Sequence, residues 1–343
     1  MRRMLRKLAS LRLTVFGMIT LGIGAALNYD NPVSTPVWVL VAPLALLALN
    51  LFAAILTNPR INRRGGLLVF HVGLLLIAVL AAIGRLTYME GRVELVEGQA
   101  FSPEDVIDVR SGLLHRSSGL GEVHFTQGPY TVDYTTGMTR GPTQSQVAVA
   151  DGRGGWDRRV IGDHTPLIIE GYRFYTTFNK GFAAIITWMP DGDAPVTGAV
   201  HMPSYPLFEH RQANRWLLDD GREIRVWLQL DTGMDAENEW RLEPARTQGM
   251  LVVREGEART ELAPGQATRI DGGLLRYEQA VGWMGYKIYY DPTLPWLFIV
   301  SFMTVFGLAA HLWRKVGSLQ TVSAAQGRQR QAGADRNLSG GMS

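Results

Sequence analysis

The sequence predicts an integral membrane α-helical protein with four spans, three before and one after a large extracytoplasmic all-β domain. Three observations carry that prediction. Four long stretches among the 343 residues are almost free of charge. Lys and Arg gather in the short segments that flank them. Between the third and fourth stretches, apolar and polar residues alternate with the period of a half-buried strand. The mean hydropathy of +0.02 hides this division, because the apolar stretches and the acid-rich middle offset one another.

The first stretch, Leu13 to Leu27, follows Arg2, Arg3, Arg6 and Lys7. By itself it also fits the h-region of a secretory signal peptide, with Gly24, Ala25 and Ala26 as the small residues of a cleavage site. A second stretch, Pro36 to Leu56, follows a loop too short for a mature domain, which favours a retained first helix. The third runs from Gly65 to Ile83 and the fourth from Leu294 to Trp313. About 20 residues at 1.5 Å each give the roughly 30 Å that crosses the hydrocarbon layer. The expected plan is residues 1–85 for three spans, 86–292 for the β domain, 293–314 for the last span and 315–343 for a disordered tail rich in Gly, Ser, Gln and Ala.

Orientation follows from the cations. The N-terminal segment, the loop holding Arg60, Arg63 and Arg64, and the segment after the fourth span together carry thirteen Lys and Arg and one acid, Asp335. The loop from Asn28 to Thr35 has no cation. Short cation-rich segments resist translocation, so both termini are expected in the cytoplasm and the β domain in the periplasm of a bacterial inner membrane. A pI near 9.2 would also suit nucleic acid, but the surplus cations sit where membrane lipid accounts for them, so nucleic acid binding is set aside. With Cys 0 the chain forms no disulfide, thiolate metal site or thiol-exchange centre.

Within the β domain, Tyr130 to Tyr134 and Glu223 to Leu230 alternate as strands with one wet face. Asp151-Gly152, Pro190-Asp191-Gly192 and Asp271-Gly272-Gly273 mark turns. An antiparallel sandwich or a pair of small β layers is expected. Gly171-Tyr172-Arg173-Phe174-Tyr175 is echoed by Gly285-Tyr286-Lys287-Ile288-Tyr289, which would suit two related β units.

No nucleophile elbow, His-Glu-x-x-His pair, phosphate-binding Gly-rich loop or Cys-x-x-Cys-His site is present. Scattered carboxylates in the β domain read as a solvated surface. Five histidines, His115, His124, His164, His201 and His210, fall outside the spans and read as surface or loop residues. His164 is set apart by its place in Asp163-His164-Thr165-Pro166-Leu167, at the mouth of an apolar strand, and is kept as a ligand candidate. The remaining two lie within spans, where an ionisable side chain is costly without a partner. His71 sits about two turns into the third span and His311 about one turn from the end of the fourth. A neutral imidazole in a helix bundle is a good axial ligand for haem iron, so both are candidates. Snorkelling is the competing reading for His311, and a polar helix–helix contact for His71 and for Asn50.

The span plan, Leu8-Ala9-Ser10-Leu11-Arg12-Leu13 and Phe70-His71-Val72-Gly73-Leu74-Leu75 resemble the ResB-like (ResB/CcsB) family of System II cytochrome c biogenesis. Outside, the resemblance continues through Glu90 to Gly98, His164 to Tyr175, and Asp291-Pro292 before the last span. It implies a subunit of a haem lyase, or cytochrome c synthetase, that is non-catalytic or co-catalytic. Its partners would be a tryptophan-rich membrane protein of the ResC or CcsA type and apocytochrome c, and its cofactor haem b. It also implies that His71, matching a histidine of the family's third span, is an axial ligand of the haem iron. The chain's 9 Trp form no cluster, as expected if the haem-handling tryptophans belong to a separate partner. Two other readings stay open: an accessory b-haem or anchoring subunit of a respiratory complex, using both His71 and His311, and a membrane-tethered β receptor.

Overall fold

A computed structural model of the protein describes residues 2–151, 153–217, 221 and 223–315. They divide into two compact units. A helical unit holds the chain up to Tyr88, Gly112–His115, and the chain from Asp291 onward; a β unit holds Met89–Ser111 and Arg116–Tyr290. The expected tail lies almost wholly outside the described residues.

The helical unit contains α1 (Arg2–Leu8), α2 (Leu11–Asp30), α3 (Trp38–Thr57), the single turn α4 (Pro59–Asn62), α5 (Gly65–Thr87) and α6 (Leu294–Lys315). Of these, α2, α3, α5 and α6, at 20, 20, 23 and 22 residues, are long and apolar enough to cross a membrane. Small residues let their backbones approach. A Cβ at Gly17 would lie 2.8 Å from Leu47 Cδ2, and one at Gly24 would lie 2.7 Å from the Val39 carbonyl oxygen. Those contacts run α2 antiparallel to α3. The same register brings Asn50 of α3 to the start of α2, where its amide donates to the Leu8 and Ser10 carbonyls at 2.5 and 3.1 Å and accepts from the Thr14 hydroxyl at 2.7 Å. Asn50 is thus the polar helix–helix contact the sequence suggests.

Helices α5 and α6 are packed in the same manner. A Cβ at Gly66 would lie 2.8 Å from the His311 nitrogen, one at Gly73 2.9 Å from Thr304 Cβ, and one at Gly307 2.7 Å from the Phe70 nitrogen. Residue numbers rise on one helix as they fall on the other, so the pair is antiparallel. Phe298, Phe302 and Phe306, four residues apart on α6, are exposed. An apolar stripe of that kind calls for lipid or a protein partner.

The β unit contains β1 (Met89–Val96), β2 (Ile107–Ser111), β3 (Phe125–Thr135), β4 (Thr139–Ala150), β5 (Trp156–Gly162), β6 (Leu167–Ile169), β7 (Tyr172–Pro190) and β8 (Val196–His201). It continues with β9 (Ala213–Leu217), β10 (Glu223–Asp231), β11 (Trp240–Leu242), β12 (Gln248–Glu255), β13 (Ala258–Leu262), β14 (Ala267–Ile270) and β15 (Gly273–Tyr290). Among the described residues every pairing is antiparallel, and three sheets form where the sequence suggests two layers. One runs β2-β1-β15-β7-β6, with β14 added on β15 and β8 on β7; the others run β13-β12-β10-β9 and β11-β3-β4-β5. The two echoed segments do not head separate β units. They are direct partners, with Lys287 opposite Tyr175 and Tyr289 opposite Arg173. Asp271 and Gly272 form the predicted tight turn between β14 and β15, with Gly272 at φ +79.

Strands β7 and β15 form the spine. Lys180 to Ala184 and Val281 to Tyr286 are buried without alternation, because both faces of these strands are covered. Within the core, Tyr286 donates to Gln127 Oε1 at 2.6 Å and accepts from Ser145, whose oxygen accepts from the Gln127 amide at 2.9 Å. This closed triangle satisfies polar groups that burial would otherwise leave orphaned.

Candidate functional site

His71 lies in the seventh position of α5 and is half-buried. Its Nδ1 is 2.7 Å from the Leu67 carbonyl oxygen, which can only accept, so Nδ1 carries the hydrogen. A neutral ring in that tautomer keeps its lone pair on Nε2, the arrangement of an imidazole prepared to bind a metal. The Phe70 ring meets the imidazole edge-on at 5.3 Å.

His311 does not converge with it. The antiparallel register sets His311 level with Gly66, five residues from His71, or about 7 Å along the axis. At about 100° per residue, His71 lies roughly 150° from the side of α5 on which Gly66 and Gly73 face α6. A single iron shared by these two rings therefore has no support in the packing of this chain. His164 belongs to the β unit, where it is exposed in the turn after β5, on a cavity of about 710 Å³ that Arg140 and Thr143 also line. No group of three or more His, Cys, Asp or Glu fit to hold a metal ion occurs among the described residues. Haem, which brings four nitrogen ligands of its own, needs no such group.

His201 departs from the surface reading. Its Nε2 is buried without a hydrogen-bond partner, its ring meets Trp283 edge-on at 5.6 Å, and burial pushes its pKa below the usual value. Desolvation penalises the imidazolium and nothing nearby compensates it.

A cationic cluster near His164 has no counterpart in the sequence reading. Asp163 accepts from Arg140, from the Thr143 N–H at 3.0 Å and from the Thr176 hydroxyl at 3.2 Å. Burial alone would raise its carboxyl, but those donors hold it below the usual carboxylate range. Arg140 also stacks on Phe178, 4.5 Å from the ring centroid, while its Nε is buried without a partner. Lys180 follows within β7 and is only 2% exposed. The one clue in the sequence is a lysine opening the otherwise apolar run Gly181-Phe182-Ala183-Ala184-Ile185-Ile186.

Four helices long and apolar enough to cross a membrane, with an all-β unit inserted before the last, define an α-helical protein carrying a β domain. Residues 61–203, from the approach to α5 to the middle of the β unit, match the family model described as the ResB-like family. Both His71 and His164 fall within that segment. Among solved structures, the chain is similar to one described as Cytochrome c Heme Lyase CcmF, at 12% identity and a TM-score of 0.30. That likeness covers 89% of this chain but 35% of the other, so the chain spans about a third of that protein's length, and a score so low carries no argument about fold or function. No curated protein matches the chain in sequence.

Proposed function

We propose that this chain is a haem-handling subunit of a System II cytochrome c synthetase, acting with a tryptophan-rich ResC/CcsA-type partner on apocytochrome c. The observation that carries the reading is His71: an imidazole in a membrane-length helix, its tautomer set by the Leu67 carbonyl, within the segment that matches the ResB-like family model. Haem b supplies the vinyl carbons to which the two apocytochrome thiols add. His71 Nε2 would hold the iron, and the Leu67 carbonyl would orient the ring and raise its basicity. The opposed faces of His71 and His311 favour a second axial ligand from the partner, which weighs against the accessory b-haem alternative. His311 stays in the proposal as a polar residue near the end of α6, and His164 as an exposed contact for haem or apocytochrome. Thioether formation then depends mainly on positioning, which the β unit assists.

The topology we infer has both termini in the cytoplasm and the β unit in the periplasm, on the strength of the cation distribution. Alkaline phosphatase fused after Gly121 is expected to be active, and after Asn62 or Ser323 inactive; the opposite pattern would overturn the orientation. Function is tested in cells that depend on this chain for c-type cytochromes. His71→Gly is expected to abolish haem-stained cytochrome c, with recovery on added imidazole. Full yield from His71→Gly without imidazole would remove the ligand role.

A further inference from the structure

The cationic cluster opens on a second cavity, of about 470 Å³, which Arg140 lines as it does the His164 cavity. Tyr134, Phe178, Tyr205, Met138 and Met234 give it apolar walls, and Lys180 and Arg140 give it charge. The Lys180 ammonium donates only a long 3.4 Å hydrogen bond to the Phe178 carbonyl and lies 5.8 Å from the Tyr134 ring centroid. Neither contact is a counter-ion. The carboxylate that acts on it, Asp163, is already taken by Arg140, Thr143 and Thr176. Glu209 lines the mouth, where it is exposed to solvent. The Ser204 hydroxyl is spent on the Lys180 backbone, donating to its carbonyl at 3.0 Å. Two cations thus share one carboxylate while the lysine is buried, an arrangement that desolvation disfavours unless an anion completes it.

We propose that this cavity binds a small amphipathic carboxylate, its anionic end on Lys180 and the free edge of Arg140 and its apolar body against Tyr134, Phe178 and Tyr205. The mostly apolar walls argue against inorganic phosphate or sulfate, which need several polar donors. The volume lies in the range of small-molecule sites. Burial drives the Lys180 pKa down to about 8, with Arg140 adding to the effect and Asp163 opposing it, as suits a cation awaiting its partner. This inference stands apart from the haem reading, since it uses neither His71 nor His311.

The test uses the full chain in non-ionic detergent, with naphthalene-2-carboxylate and its neutral analogue 2-naphthylmethanol as probes, followed by saturation-transfer NMR titration. The carboxylate is expected to bind at least tenfold more tightly than the alcohol. Lys180→Met should remove that preference while leaving the affinity for the alcohol within twofold, which also reports an intact cavity. Ala236→Trp, which fills the cavity from an exposed position on its wall, should weaken both probes at least tenfold. Equal affinity of the two probes for the unaltered chain, or a carboxylate preference that survives Lys180→Met, would overturn the proposal.

Discussion

Replacing Lys180 by methionine should make the β unit more stable at neutral pH. The side chains are similar in length, but methionine carries no charge into a site where lysine is 2% exposed. In the folded chain the ammonium titrates at about 8, against 10.5 for a solvated lysine. A depression of that size corresponds to about 3 kcal/mol of penalty on the charged form. The penalty is fully present below pH 8, where both folded and unfolded chains hold the proton, and fades as pH rises to 10.5. Methionine forfeits the long hydrogen bond to Phe178 and the distant contact with Tyr134, together about 1 kcal/mol. A net gain of about 2 kcal/mol at pH 7 remains, worth roughly 4–8 °C in Tm for a unit of this size. Thermal melts of the full chain in detergent, followed by near-UV circular dichroism, should show the gain at pH 7 and its disappearance by pH 10.5. A destabilised Lys180→Met at pH 7, or a gain that does not change between pH 7 and 10.5, would refute the reasoning.

Three further outcomes follow from the packing. Tyr286→Phe breaks the buried triangle with Gln127 and Ser145 and should lower stability by about 1–3 kcal/mol in chemical denaturation, because two polar groups lose a partner without gaining water. Burial holds the His201 pKa below 6.5, so the unfolded chain binds the proton first; the stability tied to the neutral ring is complete above pH 6.5 and falls as pH drops below it. His201→Phe should flatten that acid limb in melts between pH 7 and 5, whereas an unchanged limb would assign it to other groups. Gly73→Val meets Thr304 of α6 and should reduce the yield of monodisperse chain in detergent by gel filtration, while Gly22→Val, which has open space at its Cβ, should not.

The four long apolar helices were legible because a run of some 20 apolar residues is a signal that needs no knowledge of what packs on what. Their contacts were less so: Gly24 reads equally as a cleavage-site residue, and only the register against α3 gives it a packing role. In the β unit, alternation found strands such as β3 and β10, but the order of strands depends on pairings across nearly the whole unit, with Met89 opposite Tyr290. No local pattern records such a pairing. Lys180 escaped notice for a related reason. Three residues, Thr177 to Asn179, bulge opposite Gly285, where a Cβ would lie 2.7 Å from the Asn179 carbonyl oxygen. The two extra residues leave the phase of β7 unchanged, so Lys180 keeps the parity of the buried Tyr172 and Phe174, but no local pattern tells that the strand is covered again after the exposed Phe178 and Asn179. His201, which takes part in no metal-ligand spacing, reads as a surface or loop histidine, whereas its Nε2 is buried and its ring packs edge-on against Trp283.

The central claim is that His71 supplies an axial ligand to haem. Its most direct test is the optical and resonance Raman spectrum of the chain purified with its ResC/CcsA-type partner, in three states: unaltered, His71→Gly, and His71→Gly with imidazole. The account predicts a six-coordinate b-type haem signal in the first, its loss or conversion to a five-coordinate form in the second, and its return in the third. A haem signal of the same intensity and coordination in His71→Gly without imidazole would contradict it.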